Sequence, residues 1–530
     1  GVTNPPRKML EQNYTFFNTD LDISQQAAVK KALNSESLSI VQGPPGTGKT
    51  SVIIEIIMQV LRWNKKNPEL PGKKILLVSQ SHPAVDKMVS DLVDKFTNTG
   101  DLSLLRVGRD EKLNEGIKEK FSLSYVRDRW IELVQSRCTE SFIEHCGEIG
   151  VSTAEFETYF GALEKTRFSK AELNISDTKT ISDMLQKTNS IHAERNRQIL
   201  EIQLYWRKQL LQCDDINSYM VKTTGIIAGT CIGFLSNKEL KEGSFDYLII
   251  DEAAKATFPE LAVSLRRANN IILVGDHKQL PPILDTEFID NNKELDRGQL
   301  ETGIFETLFS LFPEDNKQQL TVQYRMHPTI GSLISQVFYN GELQNGVEGD
   351  KRVVPIENYK DIAIEWLSTS TQVEELRYEK AEGKSPKITY RNDLEIQIII
   401  QKLLSIDKLT TDPLRIGVIT AYSAQKHALS NVIRQHRFIN LDIEIDTVDA
   451  FQGSQKEIII YSTVRSSNDY SRIGFLRSEA RLNVAFSRAR SLLIIVGDLE
   501  FLSAGNCDRS KFPAIIDYIT DKENCRIVNV

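Results

Sequence analysis

The stretch "SIVQGPPGTGKTSVIIEIIMQVL", from Ser39 to Leu61, constrains the fold of this chain more than any other feature. A short β-branched run leads into the glycine-rich segment 43–50, and a segment with helical periodicity follows. This order is typical of a strand, a G-x-x-x-x-G-K-[ST] loop and a helix, whose first N–H groups face anionic phosphates. We therefore predict that the segment binds a nucleotide through Gly43, Pro44, Pro45, Gly46, Thr47, Gly48, Lys49 and Thr50. Lys49 is expected to reach the β- and γ-phosphates, and Thr50 to bind Mg²⁺.

Two further strand ends carry polar side chains that complete such a site. "FDYLIIDEAAKAT" ends an apolar run with Asp251 and Glu252. We predict that Asp251 holds Mg²⁺ and that Glu252 activates the attacking water. "NIILVGDHKQLPPIL" places Gln279 after the next apolar run. Gln279 either senses the γ-phosphate and orients water, or is an exposed loop amide.

Short apolar runs alternate with helical segments along the chain, which favours parallel sheets covered on both faces. The first series of predicted strands is 38–42, 74–79, 225–229, 246–250 and 271–275, and the second is 362–367, 415–420, 443–446, 457–463 and 492–497. The predicted class is therefore α/β, with two parallel-sheet domains. The predicted boundaries are an N-terminal segment 1–20, a nucleotide-binding domain 21–97 and 221–315, and a second domain 316–530.

A long charged segment, 98–220, interrupts the first domain, and its spacing predicts a largely helical insertion. Its stretch "YWRK" at 205–208 mixes aromatic and basic side chains, which either contact nucleic acid or pack and face solvent. The polar segment 369–387 is punctuated by glycine and proline, and it predicts a flexible loop.

Composition excludes several classes of protein. The 530 residues contain no apolar run near the length of about 20 that spans a membrane, and the start lacks a signal-peptide pattern. A cytoplasmic or nuclear protein is therefore expected. The six cysteines form no CxxC pair, which argues against a structural zinc site. A net charge of −7 provides no overall basic footprint, although a local basic groove remains compatible with it.

Two arginine motifs belong to the second domain. "LTVQYRMHPTI" places Arg325 beside Tyr324, and "RLNVAFSRARSLLIIVGD" places Arg488 just before an apolar run. Arginines in such positions usually form surface salt bridges. The alternative is that they project across a cleft to the nucleotide.

The order of the motifs resembles that of superfamily 1 helicases, of the group that contains the nonsense-mediated-decay helicase and senataxin, with related bacterial proteins. The resemblance covers both α/β domains but not the insertion or the chain ends. It rests on these blocks: "LDISQQAAV", the loop 43–50, "SQSHPAVDKM", "AGTCIGF", "DEAAKAT", "GDHKQLPP", "VQYRMHP", "TYRNDLE", "VITAYSAQ", "VDAFQG" and "RLNVAFSRAR". It implies two tandem RecA-like domains with ATP and Mg²⁺ between them.

The resemblance also implies roles for individual residues. Gln25 would bind the adenine edge, Tyr324 would stack near the nucleotide, and Arg325 with Arg488 would bind the γ-phosphate. Gly453 and Gln455 fall in a further nucleotide-binding block. The residues in blocks that line the nucleic-acid groove of relatives are Ser81, Pro83, Thr230, Thr420 and Thr447.

Two departures from the family pattern change what is expected. Gln455 stands where relatives usually have a glutamate thought to bind the ribose, which affects the expected nucleotide preference. Relatives also carry a small β-barrel before the adenine-reading glutamine, and about twenty residues before Gln25 are too few to form one. Either the chain is a fragment, or the insertion takes over the role of the barrel.

The predicted function is an ATP-dependent translocase or helicase on single-stranded RNA or DNA, with 5′ to 3′ polarity implied by the resemblance. The alternative is a nucleotide-gated clamp or scaffold that does not unwind. We expect a monomer without membrane contact, with protein partners bound through the insertion or flanking regions.

Overall fold

The computed structural model describes residues 14–95, 102–148, 215–241, 243–282, 303–383, 388–451, 453–469, 473–504 and 510–530. The chain divides into a larger unit, 1–95 with 230–232 and 244–530, and a smaller unit, 96–229 with 233–243. Its strands are β1 (Leu38–Gln42), β2 (Ile75–Ser79), β3 (Leu104–Arg106), β4 (Ile226–Thr230), β5 (Phe245–Asp251), β6 (Ala268–Gly275), β7 (Lys317–Gln319), β8 (Val322–Gln323), β9 (Gln344–Asn345), β10 (Ile364–Ser368), β11 (Lys380–Glu382), β12 (Thr389–Arg391), β13 (Leu414–Thr420), β14 (Leu441–Thr447), β15 (Lys456–Ser462), β16 (Ala489–Gly497) and β17 (Cys525–Asn529).

Helices alternate with these strands, as the sequence predicts. They are α1 (Ile23–Asn34), α2 (Lys49–Lys66), α3 (His82–Asp94), α4 (Glu115–Phe121), α5 (Leu123–Glu148), α6 (Asp215–Thr223), α7 (Lys238–Lys241), α8 (Phe258–Leu265), α9 (Ile304–Leu311), α10 (Pro328–Phe338), α11 (Glu374–Arg377), α12 (Asp393–Leu409), α13 (Ser423–Ile433), α14 (Glu479–Phe486), α15 (Leu499–Ser503) and α16 (Phe512–Asp521). Among the described helices, none combines the length and the apolar character needed to cross a membrane.

The first sheet of the larger unit has the strand order β2-β5-β6-β1-β7, and all of its neighbouring strands are parallel. β2 is buried along its whole length, and so is most of β5, because helices cover both faces. Since the strands are parallel, the segments after β1, β5 and β6 leave the sheet at the same edge. Ligands bind at this edge in open α/β sheets.

The second sheet of the larger unit has the order β14-β13-β15-β16-β10-β17, and it is also entirely parallel. Its central strand β16 carries the apolar run "LLIIV", which is fully buried. Two parallel sheets with helices between their strands confirm the predicted fold class.

The chain passes from the first sheet to the second just after β7. β7 pairs in parallel with β1 through Ile40 and Lys317, so it belongs to the first sheet. The first sheet therefore continues to residue 319, past the predicted boundary after residue 315. The three residues of β7 are polar and gave no strand signal in the sequence.

Two other sequence interpretations are changed or left open by the structure. The segment 369–387 contains helix α11 and strand β11, which pairs with β12, so the prediction of a flexible loop was wrong there. In the smaller unit, β3 and β4 form a parallel pair, and α4 and α5 pack beside β3. The stretch 205–208 lies outside the described residues.

Candidate functional site: a cavity between the phosphate loop and two arginines

The predicted phosphate loop leaves β1 at Gly43 and ends where α2 begins at Lys49. Gly46 and Gly48 have φ angles of +78° and +76°, a region that residues with a Cβ rarely adopt. No side chain caps the first turn of α2, so its N–H groups remain available to an anion. The Lys49 ammonium donates to the Gly43 carbonyl at 2.9 Å. The loop therefore presents N–H donors and one cation to the same space.

A buried carboxylate with one unpaired oxygen lies at the end of β5. Asp251 is 8% exposed, and its Oδ1 has no hydrogen-bond partner. Burial, followed by the neighbouring Glu252 carboxylate, raises the pKa of Asp251 to about 7, while Lys49 opposes that rise. Glu252 has a φ of 52°, which is uncommon for a residue with a side chain. An unpaired buried carboxylate oxygen is suited to bind a cation, because burying such an oxygen without a partner costs free energy.

Gln279 is buried, so the interpretation of an exposed loop amide was wrong. Its Nε2 donates to Asp276 Oδ2 at 2.7 Å. Its Oε1 lies 3.4 Å from Nη2 of Arg488. The amide is thus held between a carboxylate of the first sheet and an arginine of the second.

Arg325 and Arg488 lie next to each other at this site, and the Glu252 carboxylate acts on the charge of both. Neither guanidinium forms an ion pair with a carboxylate of the described residues; Arg325 instead donates to the Ser487 carbonyl at 3.1 Å, and Arg488 to the Val484 carbonyl at 3.0 Å. Burial, followed by Arg488, lowers the pKa of Arg325 to about 9. Burial also lowers the pKa of Arg488, to about 10. Two adjacent, desolvated cations create a strong local preference for an anion.

A cavity of about 380 Å³ joins these groups. Its lining includes most of the predicted nucleotide-binding residues: Pro44, Pro45, Gly46, Thr47, Gly48, Lys49, Thr50, Asp251, Glu252, Gln279, Tyr324, Arg325, Gly453, Gln455 and Arg488. Gly43 contributes its carbonyl beneath Lys49. Residues from both sheets thus converge on one polar space.

Gln25 lies behind the phosphate loop, and Tyr324 lines the cavity. Gln25 Nε2 donates to the Thr47 carbonyl at 2.9 Å, and its Oε1 accepts from the Asp22 N–H at 3.0 Å. The Tyr324 hydroxyl donates to the other side of Asp22, to Oδ2 at 3.0 Å. Gln25, predicted to bind the adenine edge, and Tyr324, predicted to stack near the nucleotide, are thus both hydrogen-bonded to Asp22.

Comparison with known proteins identifies the family of the chain. Two family models, both described as "AAA domain", match residues 20–287 and 300–500. The DNA polymerase alpha-associated DNA helicase A of Saccharomyces cerevisiae is 30% identical over 95% of this chain and 71% of its own length. The chain belongs to the superfamily 1 helicases of the nonsense-mediated-decay helicase and senataxin type. By family it is an ATP-dependent helicase.

Two other relatives are much longer than this helicase. Regulator of nonsense transcripts 1 of Dictyostelium discoideum is 29% identical over 91% of this chain and 31% of its own length. Helicase sen1 of Schizosaccharomyces pombe is 28% identical over 90% of this chain and 29% of its own length. The helicase therefore spans about a third of these two relatives.

The residues predicted to contact nucleic acid lie at strand ends or at a helix start. Ser81 and Pro83 are exposed at the start of α3. Thr420 and Thr447 pair across the ends of β13 and β14, with Thr420 fully buried and Thr447 half-buried. Thr230 ends β4 and is buried. The structure thus brings Thr420 and Thr447 together, and of this pair Thr447 has the more accessible side chain.

Sequence reasoning missed several residues that border the cavity of the helicase. Arg352 donates to the carbonyls of Tyr324 and Arg325, at 3.0 and 2.9 Å. Arg490 and the α3 residue Lys87 also line the cavity. Arg352 lies outside every quoted motif, so no local signal indicated it. Lys87 lies inside a motif but at a position to which no role was assigned. Arg490 lies in the same arginine motif as Arg488, so its motif did indicate a contact across the cleft.

Proposed function

We propose that this helicase is an ATP-driven translocase on single-stranded RNA or DNA, with ATP hydrolysed between its two α/β sheets. The observation that carries the proposal is the pair Arg325 and Arg488. Both guanidinium groups lack an ion pair among the described residues, and both border the cavity that holds the phosphate loop. A γ-phosphate is an anion whose position and charge would satisfy both arginines.

The residues of the cavity have separable roles in this proposal. Lys49 and the N–H groups of the loop bind the β- and γ-phosphates. Glu252 takes the proton of the attacking water, and Gln279 orients that water. Arg325 and Arg488 stabilise the charge that develops on the γ-phosphate, an effect worth about 10³–10⁵ in rate in known arginine fingers.

Thr50 and Asp251 would hold Mg²⁺, and the unpaired Oδ1 of Asp251 supports that fit. The described residues contain no group of three or more His, Cys, Asp and Glu side chains that could bind a metal ion together. This agrees with the usual mode of Mg²⁺, which keeps several waters and takes further ligands from phosphates. When bound, the ion would neutralise phosphate charge.

We further propose that Ser81, Pro83, Thr230, Thr420 and Thr447 contact the nucleic-acid backbone. Such contacts are mostly to phosphate and sugar and are therefore independent of sequence. The family resemblance supports 5′ to 3′ movement. We also propose a monomeric state and a location in the cytoplasm or nucleus. Protein partners are expected on the smaller unit.

The deciding experiment measures steady-state ATPase activity with and without single-stranded RNA and DNA. We expect strong stimulation by at least one of them and loss of activity in Glu252→Gln, because the amide cannot accept the proton of water. Glu523→Gln, an exposed acid in the second domain, is the matched control and should retain activity. Hydrolysis that is indifferent to nucleic acid would contradict the proposal.

Unwinding separates a motor from a nucleotide-gated clamp. A duplex with a 5′ tail should be unwound and a duplex with a 3′ tail should not. ATPase stimulation without unwinding of either duplex would favour the clamp.

A further inference from the structure

A chain of buried hydrogen bonds connects the loop after β6 with two residues of the second domain, Tyr339 and Asn483. The Tyr339 hydroxyl donates to Asp276 Oδ2 at 2.6 Å. Asn483 Nδ2 donates to that hydroxyl at 2.8 Å and to the Lys278 carbonyl at 2.8 Å. Tyr339, Asn483 and Asp276 are each at most 2% exposed. None of the three has a role in the proposed chemistry.

The directions of these bonds fix the orientation of Gln279. A carboxylate only accepts, so Asp276 Oδ2 must receive the Tyr339 O–H and the Gln279 Nε2–H. Burial and the adjacent Asp276 carboxylate raise the pKa of Tyr339 well above its ordinary value, so the hydroxyl keeps its proton. With Nε2 engaged, the Oε1 of Gln279 is the atom left to face Arg488 and the cavity.

We propose that Tyr339 and Asn483 are positioning residues for ATP hydrolysis, which act by holding Asp276 and, through it, the amide of Gln279. Asn483 lies on α14, and Arg488 follows the end of that helix. The segment 483–488 therefore carries both Arg488, which faces the γ-phosphate, and Asn483, whose side chain holds the loop that contains Gln279. Hydrolysis is favoured only when the two domains have the relative position in which every bond of this hydrogen-bond chain is formed. The inference rests on the proposed ATPase function.

Tyr339→Phe removes one hydroxyl and leaves the ring in place. We expect nucleic-acid-stimulated kcat to fall by about tenfold or more, because Gln279 is no longer held. The KM for ATP should change by less than about twofold, since no group that binds ATP is removed. Asn483→Ala is a second variant; it keeps the Tyr339–Asp276 bond, cuts the link to α14, and should lower kcat in the same way.

Tyr359→Phe is the matched control. Tyr359 is 3% exposed, and its hydroxyl donates to Glu365 at 2.9 Å, far from the cavity lining. Both tyrosine variants lose a buried bond to a carboxylate, so both should lower the melting temperature to a comparable degree. Only Tyr339→Phe should lower kcat.

A double-mutant cycle tests whether Tyr339 acts through Gln279. In a Gln279→Ala background, Tyr339→Phe should cause less than about twofold further loss, since the residue it positions is gone. Additive losses, a wild-type kcat in folded Tyr339→Phe, or an equal fall in Tyr359→Phe would each overturn the inference. An unstimulated wild-type enzyme would instead contradict the proposed function.

Discussion

Both sheets bury carboxylates beside the ends of their parallel strands, and two of these, Asp251 in the first sheet and Glu395 in the second, are held in opposite ways. Asp251, at the end of β5, has an Oδ1 without a hydrogen-bond partner. Glu395, on α12, accepts from the Thr463 hydroxyl at 3.1 Å and the Val464 N–H at 2.9 Å, as well as from the Ser462 hydroxyl. Burial raises the pKa of both carboxyls to about 7.

The difference is consistent with the proposal that the nucleotide binds beside the first sheet. After β15, the N–H and hydroxyl donors already serve a carboxyl group that the protein supplies. Val464 even adopts a φ of 68°, which is strained for a β-branched residue, while its N–H is directed at Glu395. In the described part of the chain, no carboxylate accepts a hydrogen bond from the loop after β1, and the Oδ1 of Asp251 after β5 has no partner. The second domain instead contributes Arg325 and Arg488 to the lining of the cavity.

The strongest test of this contrast replaces each acid by its amide. Asp251→Asn should lower kcat for ATP by about 10⁴-fold or more, because the carboxylate needed beside the phosphates is lost. Its free energy of unfolding should not fall, since an unsatisfied buried carboxylate is removed. Steady-state ATPase assays and urea unfolding measure the two effects.

Glu395→Gln is the matched change in the second sheet. Its kcat should stay within about twofold of wild type, because Glu395 contacts no cavity residue. Comparable losses of activity in the two variants would show that the two carboxylates are not functionally distinct.

The arginines provide the next largest effect. Arg325→Ala should lower kcat by about 10³-fold while ATP binding changes by less than about threefold, since an arginine finger acts mainly on the transition state. Binding is measured with a fluorescent ATP analogue, and the exposed Arg434→Ala serves as the control. Equal losses of binding and hydrolysis would contradict the role given to Arg325.

The smallest effect concerns the pH dependence of stability. Glu395 has a pKa of about 7 in the folded state against 4.5 for the free group, so the folded state holds the extra proton between these values. Its contribution to stability is therefore complete below pH 4.5 and is lost as pH rises through 7. Between pH 5 and pH 8, wild type should lose about 2–3 kcal/mol of unfolding free energy relative to Glu395→Gln. If the unfolding free energies of wild type and Glu395→Gln changed with pH in the same way, this titration would be ruled out.

The sequence predicted those parts of the site that depend on local pattern. The phosphate loop, the strand ends at Asp251 and Gln279, and ten of the strands carry their signal within a few neighbouring residues. The strand β17 was not predicted, and neither was β7, which is short and polar and is defined by its pairing partner.

Sequence patterns did not predict the contacts between segments that lie far apart in the sequence. Arg352 reaches the carbonyls of residues 324 and 325 from a turn more than twenty residues away. Tyr339 and Asp276 meet across an interval of 63 residues. Neither periodicity nor spacing encodes such pairs, because they depend on how the two sheets pack.

The chain's crossing between the two sheets has a mechanical consequence. Here the Tyr324 N–H donates to the Gly46 carbonyl at 2.9 Å, and a Cβ on Gly46 would lie 2.7 Å from that of Arg325. The next turn is tied to β16, where the His327 N–H donates to the Arg490 carbonyl at 2.7 Å. The strand β14 lies three positions away from β16, about 14 Å across the sheet at about 4.8 Å per strand. A rotation of the second domain about the crossing would therefore displace Thr447 farther than Arg325. Under the proposed function, a small movement of Arg325 at the phosphate would be accompanied by a larger movement of Thr447 at the nucleic acid.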